Sequence, residues 1–257
     1  MPIRLHFDLT AIAGFLLTIT RVGSALFFLP LPGFKDAAAV VRVGLVVGLS
    51  FCLFPFWPAV KIDVLSAGQF TMAVVAEAAV GLLIGLAIAF LHEAFQFAAQ
   101  AVSMQSGFSF ASIYDPGSKA DTGVFLMVTQ FATGLLFFVF GVHHQLLRLL
   151  ARSFEIFSYN GPHLESDSIK AVLMMGTTMF TTGLKLGLPL VVLLLLIEFS
   201  LALLSRLHAQ LHLLMLSFPA KTALSLVFLA IMLARWPALY EQMAHSVFEL
   251  LFRLAAL

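Results

Sequence analysis

The chain is a succession of long apolar runs with brief polar or helix-breaking interruptions. Apolar segments extend from about Ala11 to Leu29, Ala37 to Trp57, Ala67 to Leu91, Gly123 to Leu147, Ala171 to Leu204 and Leu213 to Leu233. An amphipathic stretch follows Trp236-Pro237. About 20 mostly apolar residues suffice for a helix to cross a bilayer, so the pattern predicts an all-α, polytopic, membrane-associated protein. The run 171–204 is too long for one span, since at about 1.5 Å per residue it would reach about 50 Å against about 30 Å of hydrocarbon. Pro189, preceded by Gly183 and Gly187, predicts a kink or hairpin there, because proline removes a backbone donor. Pro30, Pro32, Pro55, Pro58 and Pro219 also lie at or inside segment ends. The expectation is therefore helical hairpins with kinked or broken helices. No soluble part separates out: the longest polar loop, about Arg152 to Lys170, is short. No repeat of 20–50 residues is visible, and residues 1–257 read as a single domain.

Composition sharpens this picture. The chain is 61% apolar and 11% charged, with mean hydropathy +1.04. A soluble domain carries about 45–50% apolar and about 25% charged residues, so a free-standing soluble enzyme is excluded. A net charge of +1 leaves no basic surplus for a nucleic-acid footprint. The single cysteine, Cys52, lies in an apolar run and reads as a small buried hydrophobe. The first hydrophobic run is interrupted by Arg21 and lacks a good cleavage site, so it reads as an uncleaved segment rather than a signal peptide. Lys and Arg are spread thinly along the chain, and the positive-inside rule orients nothing.

Six charged residues fall within apolar segments: Arg21, Arg42, Glu77, Lys185, Glu198 and Lys221. Each costs several kcal/mol, order of magnitude, if it faces hydrocarbon. They must face a water path, a partner or one another, which leaves two readings: a conduit or proton relay, or pairing that fixes assembly. Lys185 and Glu198 would point to different faces of one helix. Three G-x-x-x-G patterns, Gly44–Gly48, Gly81–Gly85 and Gly183–Gly187, permit close helix approach, although glycine is common in membrane helices anyway. His143-His144 reads as a polar helix end. His208 and His212 have i, i+4 spacing but no third metal ligand, and read as interfacial. The phosphate-loop, dinucleotide and nucleophile-elbow motifs are absent, so no catalytic, cofactor or metal residue is assigned.

The most informative stretch is Gln100–Thr122, rich in small and hydroxylated residues and holding Gly107, Pro116 and Gly117. It reads as a strand or loop rather than a lipid-facing helix. Non-helical backbone at membrane depth must be buried in protein or line a cavity. The stretch is thus a candidate lining or plug of a conduit, or alternatively an extramembrane loop with an apolar surface.

Four segments in order carry a family resemblance. They are Met104-Gln105-Ser106-Gly107-Phe108-Ser109-Phe110-Ala111-Ser112 followed by Asp115-Pro116; Gly141-Val142-His143-His144-Gln145-Leu146-Leu147; Leu188-Pro189-Leu190; and Ala209-Gln210-Leu211 followed by Ser217-Phe218-Pro219-Ala220-Lys221. With these, the chain resembles the FliR family of flagellar export-gate proteins, whose injectisome relatives are the SctT proteins. Three positions depart from the family pattern: Ala209, His212 and Val142. The resemblance implies a subunit of a type III export gate. Such a subunit assembles with FliP-like and FliQ-like partners into a conical channel contacted by an FlhB-like switch protein. Unfolded flagellar substrates would cross the bacterial inner membrane through it, at the flagellar basal body. It further implies bent hairpins lying partly above the bilayer plane, no enzymatic group, and a plug at about 106–122. The plug residues are then Gly107, Phe108, Ser109, Phe110, Ile113, Tyr114, Asp115, Pro116 and Gly117. Competing readings are an SctT-type injectisome subunit, a proton-coupled transporter using Glu77, Lys185 and Glu198, and a passive scaffold.

Overall fold

The computed structural model describes residues 9–29, 38–56, 67–107, 124–156, 166–207 and 213–254. Among them are seven α-helices and one short 3-10 turn, and no strand: α1 (Leu9–Phe27), α2 (Ala39–Cys52), the turn Phe54–Phe56, α3 (Ala67–Ser106), α4 (Val124–Val139), α5 (Val142–Ile156), α6 (Ser166–Leu207) and α7 (Leu213–Leu254). The all-α, polytopic reading stands. Among the described residues four single helices are long and apolar enough to cross a membrane, α1, α3, α6 and α7, and the bent pair α4–α5 is a fifth candidate.

The helices run further than the apolar pattern indicated. α6 is one helix of 42 residues with Pro189 inside it, so the hairpin expected at Pro189 does not form. α7 likewise passes through Pro219 and Pro237 without ending, joining two stretches that hydropathy had separated. α3 continues to Ser106, so residues 100–106 are helical, not strand or loop. At the three prolines the alternative would expose backbone N–H and C=O groups in an apolar setting, which costs more than the bond a proline deletes. At about 1.5 Å per residue the three longest helices are about 60 Å long, roughly twice a hydrocarbon core. The segment 123–147, in contrast, is interrupted. Gly141 adopts φ +64° between α4 and α5, a left-handed conformation that glycine takes without a Cβ penalty. Its carbonyl then accepts the first backbone bonds of α5, from His144 and Gln145. His143-His144 accordingly opens a helix.

The chain divides into two units. The first comprises residues 1–89, 141–175 and 245–257; the second comprises 90–140 and 176–244. The first unit buries Leu17, Val22, Ala25, Val80, Ile88, Leu149 and Leu150. Here α3 meets α1 at a glycine seam: a Cβ on Gly81 would overlap the Arg21 carbonyl and the Ser24 hydroxyl, and one on Gly85 the Ala25 carbonyl. The second unit buries Phe95, Phe137, Leu190, Leu194, Trp236 and Tyr240. There a Cβ on Gly183 would stand 2.8 Å from the Ala94 carbonyl, and one on Gly187 3.3 Å from Ala98 Cα. Two of the three G-x-x-x-G patterns are thus internal helix crossings. At the third, Gly44 and Gly48, nothing lies within 4 Å of the added carbon.

Three buried threonine hydroxyls are satisfied within their own helices. Thr18 donates to the Gly14 carbonyl, Thr129 to Phe125 and Thr133 to Thr129, each at 2.9 Å. This local bonding suits helices with little water to turn to. Cys52 is exposed at the end of α2, not buried. The apolar run holding it leaves much of α2 uncovered, including Val40, Val41 and Val43.

Candidate functional site

The buried charge in the first unit is Arg21, on α1. Its guanidinium grips the Glu77 carboxylate of α3 with two bonds: Nε donates to Oε2, and Nη2 to Oε1 at 2.8 Å. Nη1 donates to Ser153 Oγ of α5 at 2.9 Å, and that hydroxyl in turn donates a hydrogen bond to the Leu150 carbonyl at 2.7 Å. The guanidinium carbon also stands 4.2 Å from the ring centroid of Phe154. Arg21, Glu77 and Ser153 are all at most 3% exposed. A planar fork that meets both carboxylate oxygens, a hydroxyl and a ring face offsets part of the desolvation of the pair. Its chemistry is that of a fastener between α1, α3 and α5.

The second unit contains a smaller polar cluster. Lys221, on α7, is 8% exposed and lies 2.8 Å from Glu198 Oε2 of α6. The same oxygen accepts a bond from Gln105 Nε2 of α3 at 3.0 Å. Glu198 itself is half exposed. Gln105 is followed by Ser106, the last residue of α3, and by Gly107, which is buried and turns into the left-handed region at φ +86°. Close by in sequence, α3 contributes His92 and Phe95 to an aromatic cluster with Phe137 of α4 and Trp236 and Tyr240 of α7. Its ring centroids lie between 5.5 and 5.8 Å apart, the spacing of edge-on aromatic contacts.

The six charges that fall within apolar segments thus separate into classes. Arg21 pairs with Glu77 and Lys221 with Glu198. Arg42 and Lys185 are exposed and form no ion pair among the described residues. Lys185 and Glu198 are not partners, as their spacing predicted. Sequence reasoning missed Gln105, Ser153 and Phe154. Gln105 carried a signal in retrospect, as a polar residue in the first of the four ordered segments; Ser153 and Phe154 carried none. The first and fourth segments meet through Glu198, since Gln105 belongs to one and Lys221 to the other. Of the plug residues, Gly107 alone is described; Phe108, Ser109, Phe110, Ile113, Tyr114, Asp115, Pro116 and Gly117 lie outside the described residues, as do His208 and His212.

Much of the remaining apolar surface lies on α6 and α7. Their apolar windows are 17% buried, against 50% for α3. Phe180, Leu184, Leu188, Val192, Leu195, Leu196, Phe199 and Leu203 stand out from α6. Such a surface needs lipid or protein against it.

Comparison with known proteins identifies relatives of this chain. The chain is 28% identical to the flagellar biosynthetic protein FliR of Escherichia coli over 233 residues, 91% of this chain and 89% of that protein. It is 28% identical to the FliR of Pectobacterium carotovorum, covering 82% of this chain and 80% of the relative. The same identity holds for the FliR of Bacillus subtilis, with 85% of each chain covered. Residues 12–247 match the family described as bacterial export proteins, family 1. With its seven helices inside or overlapping that match, the chain belongs to the FliR family of bacterial export proteins.

Proposed function

We propose that this protein is a structural and gating subunit of the flagellar type III export channel, the gate through which unfolded flagellar proteins cross the inner membrane at the basal body. The observation that carries the reading is the match of residues 12–247 to an export family. The uncovered apolar faces of α6 and α7 fit a subunit completed by neighbours. Its neighbours are FliP-like and FliQ-like subunits, with an FlhB-like switch protein in contact. The chain acts as one gate domain, performs no chemistry, and transports only as part of that assembly. The relatives' flagellar names favour flagellar substrates over injectisome ones.

The channel is closed by the segment at about 106–122. Support comes from the family resemblance, from the large apolar side chains Phe108, Phe110, Ile113 and Tyr114, and from the left-handed Gly107 at its root. Burying one large side chain contributes about 1.5–3 kcal/mol. A few such contacts seal a pore against ions and still yield to an entering chain. Deleting Phe108–Tyr114 is expected to raise small-ion leak through an assembled gate; an unchanged leak would remove the plug role.

A proton relay through Glu77, Lys185 and Glu198 gains no support. Glu77 is fully engaged by Arg21, and Lys185 pairs with neither acid. Solute transport by the purified chain alone in liposomes would revive that reading.

A further inference from the structure

We propose that Glu198 is a positioning residue of the gate: it pins the last turn of α3 to α6 and α7. The functional part rests on the plug reading above; the geometric part does not. Both donors converge on one oxygen, Lys221 Nζ at 2.8 Å and Gln105 Nε2 at 3.0 Å. The three residues come from three helices and lie far apart in sequence. The last carbonyls of a helix have no partner within it, so a terminal turn frays unless something outside holds it. α3 ends one residue after Gln105, and Gly107 then leaves the helical conformation. Gln105 is therefore the last long polar side chain able to fasten that turn, and Glu198 is what it bonds.

The cluster is also charge-specific. Lys221 is nearly buried, and its ammonium has Glu198 as its ion-pair partner among the described residues. A lysine can donate but not accept, whereas an amide does both. Glu198→Lys alone sets two ammonium groups against each other. Combined with Lys221→Glu, the ion pair returns with reversed polarity. Gln105 can still take part, because its amide rotates to offer oxygen instead of N–H.

The test uses the full chain in its membrane complex, with nitroxide labels on Met104→Cys and Leu203→Cys in a Cys52→Ser background. Both label positions are exposed in the single chain. The label-to-label distance distribution is expected to be narrow in the parent and broadened by Gln105→Leu and by Glu198→Lys. It is expected to narrow again in the Glu198→Lys/Lys221→Glu pair. Gln105→Leu retains both charges, so complex yield should hold while ion leak rises. An unchanged distribution in Gln105→Leu, or a charge swap that assembles without restoring the narrow distribution, overturns the pin. The Phe108–Tyr114 deletion separates the two ideas. Leak on deletion with no broadening in Gln105→Leu defeats the pin and spares the plug. Broadening without leak on deletion supports the pin and defeats the plug.

Discussion

At the scale of single residues, the strongest commitments are the polar groups placed where water is scarce. Arg21 and Glu77 are costly to bury and costlier to separate. Removing one partner of such a pair typically destabilises by about 3–5 kcal/mol, whereas replacing both by apolar residues of similar volume is often neutral. Glu77→Leu is therefore expected to lower the thermal midpoint of the detergent-solubilised protein sharply, and Arg21→Met/Glu77→Leu to recover most of the loss. A double variant as weak as the single one would show that the pair contributes something beyond mutual neutralisation. Tyr240 makes the opposite case. Its hydroxyl is buried and finds no hydrogen-bond partner among the described residues. An uncompensated buried hydroxyl costs about 1–3 kcal/mol. Tyr240→Phe is expected to preserve or raise stability while leaving the contacts with His92 and Phe95 in place; a fall in the thermal midpoint would reveal a bond made by that oxygen. The positions of the buried charges were readable from the apolar runs around them. Their pairings were not, because Glu77 lies 56 residues from Arg21 and Ser153 lies 132 away.

At the scale of elements, glycine has opposite meanings in the same motif. Gly85 sits where α1 and α3 touch backbone to backbone, and a methyl group there collides with the Ala25 carbonyl. Gly48 faces nothing within 4 Å. Overpacking costs about 1–3 kcal/mol, and replacing an unhindered helical glycine by alanine gains roughly 0.5–1 kcal/mol. Gly85→Ala should therefore lower the unfolding temperature of the purified chain and Gly48→Ala should raise it slightly; equal effects would contradict the close crossing of α1 and α3. The helix ends were the least legible feature. Pro189, Pro219 and Pro237 looked like boundaries, yet α6 and α7 run through all three. In water a proline's missing bond often ends a helix. In apolar surroundings ending it strands several more polar groups, and continuation costs less. Gly141 did mark a boundary, because its left-handed backbone cannot continue a right-handed helix.

At the scale of the whole molecule, the exposed faces decide the behaviour. A chain that leaves Phe180, Leu188, Leu195, Leu196 and Phe199 uncovered on one helix should be poorly monodisperse by itself and, on the function proposed above, gain order on co-expression with the proposed FliP-like and FliQ-like subunits. Size-exclusion chromatography in mild detergent checks this. Equal monodispersity and thermal midpoint with and without partners would remove the need for an assembly. Replacing Leu195 and Phe199 by Ser is expected to reduce complex recovery if partners cover that face. Unchanged recovery would leave the face to lipid.

The sequence by itself determined the solvent, the fold class and the family. Those follow from how many apolar residues occur, how they run along the chain, and the order of a few short segments, all of which are local quantities. Only the tertiary structure decided which charges are fasteners, which glycines are crossings and which prolines lie inside a continuing helix. Each depends on what another helix places within a few ångströms, and in this chain that helix lies dozens to more than a hundred residues away. Glu198 has the same mid-run setting as Lys185, yet it alone meets both a lysine and an amide, because α3 and α7 deliver their donors to the same side of α6.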